Sequence, residues 1–393
     1  MQEIRKVKTA VIGCGMISNV YIRNLKHLFS LIDLAALCDV NAEAAKEKAA
    51  LYGVPSIMTV EEIAKDPEIE LVVNLTGPTA HYGIIETMLS AGKHVYTEKM
   101  LTVELAEGEK AVRLSHEKKR CLGVAPDTVL GAGIQTARNA IDAGFIGQVT
   151  SCRASINRNQ SLNSETYRFL QHQGGAFPYD IGIYYIAALL CLLGPVRRLS
   201  AFGAPAELHS TELLFQPQPA DSWQIPGNNL LTGLLSFESG ALGTIHLDGN
   251  TINEEKHSIV IYGTEGILEI GDPNRFDGYV KLTRTGGGEC VLPMTHGYDG
   301  RPVLPDATAF EKRYGCRGIG VAEMAWAIRN HRPQRLSGEY GLHCMEVLKG
   351  MDESAASGTL YEPKSRFQMA PLPSGYYSIQ SDGSRGDAER SLQ

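Results

Sequence analysis

A short strand that runs into a glycine turn and then a helix constrains this chain more than any other feature. Lys8-Thr9-Ala10-Val11-Ile12 reads as a buried strand, and a helical pattern opens at Ile17. Between them stands Gly13-Cys14-Gly15-Met16-Ile17-Ser18. In that context the first glycine permits the tight turn, and the second lets the backbone approach a pyrophosphate. The helix N-terminus then offers unpaired N–H groups and partial positive charge. Ser18 replaces the usual third glycine and is small enough for close helix–strand packing. A plain glycine turn would look the same, so the reading depends on the rest of the chain.

Downstream, strand and helix alternate. Apolar runs at 7–12, 34–39, 71–76, 94–97 and 121–125 suit buried parallel strands. Helical patterns at 17–28, 42–51, 60–64, 80–90 and 103–117 separate them, with Gly53 and Gly92 at helix stops. This predicts an α/β fold whose N-terminal part is a doubly wound parallel sheet. The texture changes after Ala125. A helix at 134–142 and an apolar helix from Asp180 precede strand-like runs at 230–237, 241–248, 258–262, 267–270 and 279–283. Turns such as Glu238-Ser239-Gly240 and Thr264-Glu265-Gly266 link them, predicting a large, mostly antiparallel sheet in an α+β domain. Helices at 320–330 and 340–357 close it. The expected division is 1–125, 126–375 and a polar, flexible tail at 376–393.

Composition narrows the partners. A net charge of −7 argues against nucleic acid, whose phosphates need a basic footprint. The eight cysteines are scattered without C-x-x-C spacing, so no metal ribbon or redox motif is expected. Reduced, buried thiols fit a cytoplasmic protein. The longest apolar stretch, 181–194, has 14 residues and falls short of the ~20 that span a bilayer. The basic N-terminus leads straight into the glycine turn, not into a signal-peptide core.

Asp39 ends the second strand, 24 residues beyond Gly15, where a carboxylate can accept from adenosine ribose hydroxyls. It would repel a 2′-phosphate, and Val40-Asn41-Ala42 offers no arginine, so the cofactor reads as NAD, not NADP. A helix-capping aspartate is the plainer alternative. Two sets of reacting groups lie further along. Glu98-Lys99 ends the strand opened by Gly92-Lys93-His94, and Lys99 could serve as base and alkoxide stabiliser if its pKa is lowered. Glu98 would orient it or hold the nicotinamide region. Asp180 and Tyr184 open the apolar helix and, at i and i+4, share a face. Taken singly, these pairs read as a solvated ion pair and as an N-cap with a core tyrosine. Met16, Ile17, Thr76 and His81 complete the expected cofactor contacts, although His81 heads a helix and also suits capping or packing. His94 reads as structural. Asn157 and Arg158, with His172 and Trp223, are candidates to line a polar substrate pocket.

Together, the glycine turn, Asp39, the Gly-Lys-His-Val strand ending in Glu98-Lys99, and Asp180-x-Gly182 resemble the glucose-fructose oxidoreductase/inositol dehydrogenase/rhizopine-catabolism (Gfo/Idh/MocA) family. The resemblance runs from about Lys6 to Glu362. It implies a Rossmann domain, NAD, and oxidation or reduction of a carbinol on a sugar, glycoside or polyol. It also implies a homodimer or homotetramer paired through the open face of the second sheet. Two positions depart from the family pattern. Met100 replaces the proline of Glu-Lys-Pro, and Tyr184 stands where many members carry histidine, with Ala187 in place of an aspartate. Tyrosine there resembles the glucose-fructose oxidoreductase and dihydrodiol dehydrogenase branch. An NAD-dependent glycosidase acting by transient oxidation and elimination, or a non-catalytic NAD-binding regulator, would carry many of the same residues.

Overall fold

The computed structural model describes residues 4–160, 168–206, 225–251, 258–298 and 317–374; Trp223 and the expected tail lie outside the described residues. The N-terminal layer is a six-stranded sheet of β1 (Val7–Ile12), β2 (Ile32–Cys38), β3 (Ser56–Ile57), β4 (Leu71–Asn74), β5 (His94–Thr97) and β6 (Leu122–Val124). Its order is β3-β2-β1-β4-β5-β6, and every pair is parallel. Val7, Ala10, Val11 and Ile12 of β1 are all buried, because helices cover both faces of a central parallel strand. Strand order reverses between β1 and β4, which opens a crevice beyond their carboxyl ends.

Five helices connect these strands: α1 (Ser18–His27), α2 (Ala42–Tyr52), α3 (Val60–Lys65), α4 (His81–Ser90) and α5 (Leu105–Lys118). Local chemistry sets their ends. Asn41 caps α2, accepting from Glu43 N–H, and Gly53 stops it in the left-handed region at φ 65°. Thr59 and Glu62 form a reciprocal capping box on α3.

The second layer is an eight-stranded sheet in the order β14-β13-β12-β11-β7-β10-β9-β8. Its strands are β7 (Val149–Asn157), β8 (Val196–Pro205), β9 (Asn228–Phe237), β10 (Leu242–Asp248), β11 (Ser258–Gly263), β12 (Gly266–Ile270), β13 (Val280–Arg284) and β14 (Glu289–Val291). All neighbours are antiparallel except β7 and β10, which pair in parallel at the centre. Among the described residues, four helices accompany it: α6 (Ala132–Asp142), α7 (Ile183–Leu193), α8 (Ile319–Arg329) and α9 (Gly338–Ser357). Every residue of α7 is buried, since α6 and α9 pack against it and Tyr340 donates to the Ala187 carbonyl at 2.5 Å. The segment before α9 also closes the open edge of the first sheet, where Val124 N–H donates to Leu336 O at 3.0 Å.

The apolar helix does not start as a plain α-helix at Asp180. A π-helical turn, Pro178–Gly182, carries the aspartate, and α7 begins one residue later. Strands β3, β7, β8 and β14 go beyond those expected from sequence.

Candidate active site

The glycine turn is built as a cradle. Gly13 adopts φ +102°, and a Cβ there would stand 2.6 Å from the Leu75 carbonyl carbon, so only glycine fits. Gly15 has nothing within 4 Å of its would-be Cβ, and Met16 beside it is 44% exposed. An open backbone thus meets the N-terminus of α1, the arrangement that receives a diphosphate. Ser18 Oγ donates to Gly15 O at 2.7 Å, and Lys48 of α2 donates to Gly15 O, Ser18 Oγ and Asn19 Oδ1 at 2.7, 2.7 and 2.8 Å. Lys48 was not anticipated as part of this turn. Asp39 sits directly against it: Cys14 N–H donates to Oδ2 at 2.6 Å and Asn41 N–H to Oδ1 at 2.8 Å. Ile17 is half-buried at the start of α1. Thr76 flanks the cradle, donating from N and Oγ1 to Asn74 Oδ1. These residues fit a dinucleotide.

His81 requires a correction. Expected as a cofactor contact, it is fully buried, with Nδ1 2.6 Å from Met100 O and Nε2 3.0 Å from Thr76 O. Its ring ties the loop after β4 to the loop after β5, so neither nitrogen is left for a ligand. Burial lowers its pKa, and a neutral ring can donate to only one of the two carbonyls.

Beyond β5 the reacting groups converge. Glu98 is buried; Tyr21 of α1 donates to Oε1 at 2.7 Å and Lys99 N–H to Oε2 at 2.9 Å. Lys99 Nζ donates to Asp180 Oδ1 at 2.6 Å and to Asp180 O at 2.7 Å, with side-chain exposures of only 15% and 14%. Gln160 Nε2 donates to Asp180 Oδ2 at 2.9 Å. Lys99 Nζ also lies 5.6 Å from the Tyr184 ring centroid and 5.9 Å from that of Phe169. The π-helical turn therefore turns Asp180 and Tyr184 toward one ammonium.

The electrostatics reverse one expectation. Burial pulls the Lys99 pKa down, but the Asp180 carboxylate and Tyr184 outweigh it and leave it raised. Lys99 is a resident cation, not the lowered-pKa base anticipated from sequence. Tyr184 is raised too: burial disfavours the phenolate, against Arg317 and Lys99, which favour it.

Sequence reading missed a cation that bonds the phenol oxygen. Arg317, 2% exposed, donates from Nη2 to Tyr184 Oη at 3.2 Å and to Asn274 Oδ1 at 2.8 Å. Its Nη1 lies 3.4 Å from Asp127 Oδ1, and Asp127 Oδ2 accepts from Gly318 N–H at 2.7 Å. Burial raises the Asp127 pKa, while Arg317 opposes that. Nothing in the local pattern around Arg317 marks it, because its partners come from distant parts of the chain.

The expected substrate residues are spread more loosely. Asn157 ends β7 and accepts from Ser155 Oγ at 3.5 Å. Arg158 Nη2 lies 3.9 Å from Asp272 Oδ2, and Asp272 Oδ1 in turn accepts from Asn274 N–H at 2.9 Å and from Tyr185 Oη at 3.3 Å. Arg158 thus joins the network that holds Arg317. His172 is exposed. His94 accepts from Cys121 N–H at 2.9 Å, and its pKa is lowered to about 4 by burial, as suits a structural residue.

Comparison with known proteins identifies the family to which this fold belongs. Residues 7–125 match a family described as an oxidoreductase family with an NAD-binding Rossmann fold, and residues 134–269 match the GFO/IDH/MocA C-terminal domain. The chain belongs to the GFO/IDH/MocA family. Among GFO/IDH/MocA relatives, an uncharacterized oxidoreductase of Schizosaccharomyces pombe is 28% identical over 198 residues, 50% of this chain and 54% of that protein. A scyllo-inositol 2-dehydrogenase (NADP(+)) of Bacillus subtilis is 26% identical over 200 residues, 51% of this chain and 55% of the relative. The chain thus spans about half the length of the curated relatives it matches. A levoglucosan dehydrogenase solved with NADH and levoglucosan shares the fold, with TM-score 0.75–0.76 across its two structures and 19% identity. In the levoglucosan complex the match covers 92% of this chain and 100% of the other.

Proposed function

We propose that this GFO/IDH/MocA protein is an NAD-dependent dehydrogenase of a sugar, glycoside or polyol carbinol. The observation that carries the reading is the buried Lys99–Asp180 ion pair with Tyr184 against it, beyond β5 and at the same end of the parallel sheet as the glycine cradle. The cradle residues Gly13, Gly15, Met16 and Ile17, with Asp39, Thr76 and Glu98 around them, would hold the cofactor. A bound nicotinamide supplies the hydride acceptor.

The chain supplies the rest. An ammonium has three N–H donors, and Asp180 takes two hydrogen bonds from Lys99, which leaves one for the reacting oxygen. Asp180 keeps Lys99 charged, and that charge favours negative charge developing on the oxygen. Tyr184 is the group that exchanges a proton with the substrate hydroxyl, with Asp180 orienting Lys99 beside it. Asn157 and Arg158 are the residues proposed to meet further hydroxyls. Support for a polyhydroxy substrate comes from the names of the inositol and levoglucosan relatives. Asp39 supports NAD over NADP. The open face of the eight-stranded sheet supports assembly into a homodimer or homotetramer, and the scattered cysteines without C-x-x-C spacing support a cytoplasmic location. Among the described residues, no helix is long and apolar enough to cross a membrane.

NADH fluorescence with a panel of sugars, glycosides and cyclitols tests the reading. Steady NADH formation from at least one member is expected. Binding of NAD with no NADH from any member would refute it, and product release without net NADH would favour elimination chemistry.

A further inference from the structure

Tyr184 has one hydroxyl hydrogen, and its contact with Arg317 cannot use it. A guanidinium donates and never accepts, so at the 3.2 Å contact with Arg317 Nη2 the phenol oxygen must be the acceptor. Among the described residues Tyr184 Oη has no other hydrogen-bond partner. Lys99 Nζ lies 5.6 Å from the Tyr184 ring centroid.

Arg317 is held firmly for this contact. Asp127 and Asn274 take its Nη atoms, and its own carbonyl accepts from Asn24 Nδ2 of α1 at 2.7 Å. Its guanidinium carbon stacks 5.2 Å from the Tyr184 ring centroid and 5.5 Å from that of Phe276. Its Nε is buried with no partner among the described residues, an unfavourable arrangement for an ion pair that serves stability alone.

Resting on the reading of Tyr184 as the proton-exchanging group, we propose that Arg317 is a positioning residue: it holds the Tyr184 oxygen as an acceptor, so the phenol hydrogen is directed at the substrate oxygen. In the direction that makes the alcohol, the Tyr184 O–H bond breaks and a new O–H bond forms on the substrate oxygen. A bound reduced nicotinamide would supply the hydride to the carbon, and the electron pair left on Tyr184 would make it a phenolate facing Arg317 Nη2. In the reverse direction, the phenolate receives the hydroxyl proton.

The test reads the phenol directly in the cofactor-free protein. The difference in ultraviolet titration between the parent and Tyr184→Phe isolates Tyr184 from the other tyrosines. Arg317→Met should move that titration upward by about one pH unit, roughly a tenfold loss in ionisation, and Arg317→Lys by less. Asn274→Ala removes one Arg317 acceptor from a half-buried turn and leaves the buried charges in place, so it reads the same effect where Arg317→Met fails to fold. It should shift the titration in the same direction by a smaller amount. With a substrate in hand, Arg317→Met should lower kcat in the parent background but change it less than about twofold in Tyr184→Phe, because the two act as a unit. An unmoved titration in the folded variants, or an equal loss of kcat in both backgrounds, would overturn the proposal. The titration needs no substrate, so it tests the role of Arg317 even where no sugar is oxidised.

Discussion

Each oxygen of Asp39 accepts one backbone amide, and a carboxylate oxygen has a second lone pair to offer. The same side chain can therefore brace the glycine turn and accept from a ribose, while its charge opposes a 2′-phosphate. In the parent, NAD should bind at least about tenfold tighter than NADP, and Asp39→Ala should narrow that ratio while weakening both. Calorimetry giving equal affinities in the parent protein would contradict this. The residues legible in sequence were those marked by local context: glycines between strand and helix, Lys99 at a strand end, and Asp180 and Tyr184 at i and i+4. Arg317, Asp127, Gln160 and Asn274 were not legible, because they meet only when distant segments fold together; Asp127 and Arg317 are 190 residues apart. The sign of the Lys99 shift was hidden for the same reason, since it depends on how closely Asp180 approaches.

Helix α9 is joined to strand β8 through a buried histidine. Val196 N–H donates to His343 Nε2 at 3.0 Å, while Nδ1 faces Ser365 O at 3.0 Å. That pattern requires a neutral ring, and burial lowers the His343 pKa to about 4. His94, the first residue of β5, is lowered to about 4 as well. A folded value below the unfolded ~6.5 means that the unfolded chain binds more protons between those limits. Stability should therefore be level above pH 6.5 in respect of these groups and fall as the pH drops toward 4, by on the order of 3 kcal/mol for each histidine. Urea midpoints measured across that range check it: His343→Asn should be less stable at pH 7 but show a shallower loss, and an unchanged slope would contradict the assignment. At this scale, helices and parallel strands were legible from long apolar or periodic runs. Strands β7 and β8 were not, because serine and arginine fill much of their outer faces and only every second residue enters the core. The parallel β7–β10 pair was equally hidden, since its connection passes through α7, β8 and β9.

Across the whole molecule, the two sheets were legible as classes, one parallel and one mostly antiparallel. Among the described residues, the second leaves a broad face uncovered. By register Phe202 pairs with Thr232, Leu234 with Thr244, and Leu242 with Ser236, so these exposed apolar side chains share that face. A second copy is the occupant proposed for it. Light scattering at micromolar concentration should give a dimer or tetramer, and Leu234→Glu with Phe202→Asp should shift it toward monomer without altering NAD affinity. A parent monomer would refute the assembly. The central claim is that the two layers share one reaction centre, with Lys99 supplied beyond β5 of the first layer, and Asp180 from the π-helical turn and Tyr184 from α7 of the second. Single-turnover formation of NADH from an active substrate tests it most directly. Lys99→Ala and Tyr184→Phe should each slow the hydride step by about 10²–10⁴-fold, with NAD affinity nearly unchanged and the double variant little slower than either alone. If Tyr184→Phe and Lys99→Ala both keep most of the parent rate, the chemistry lies elsewhere.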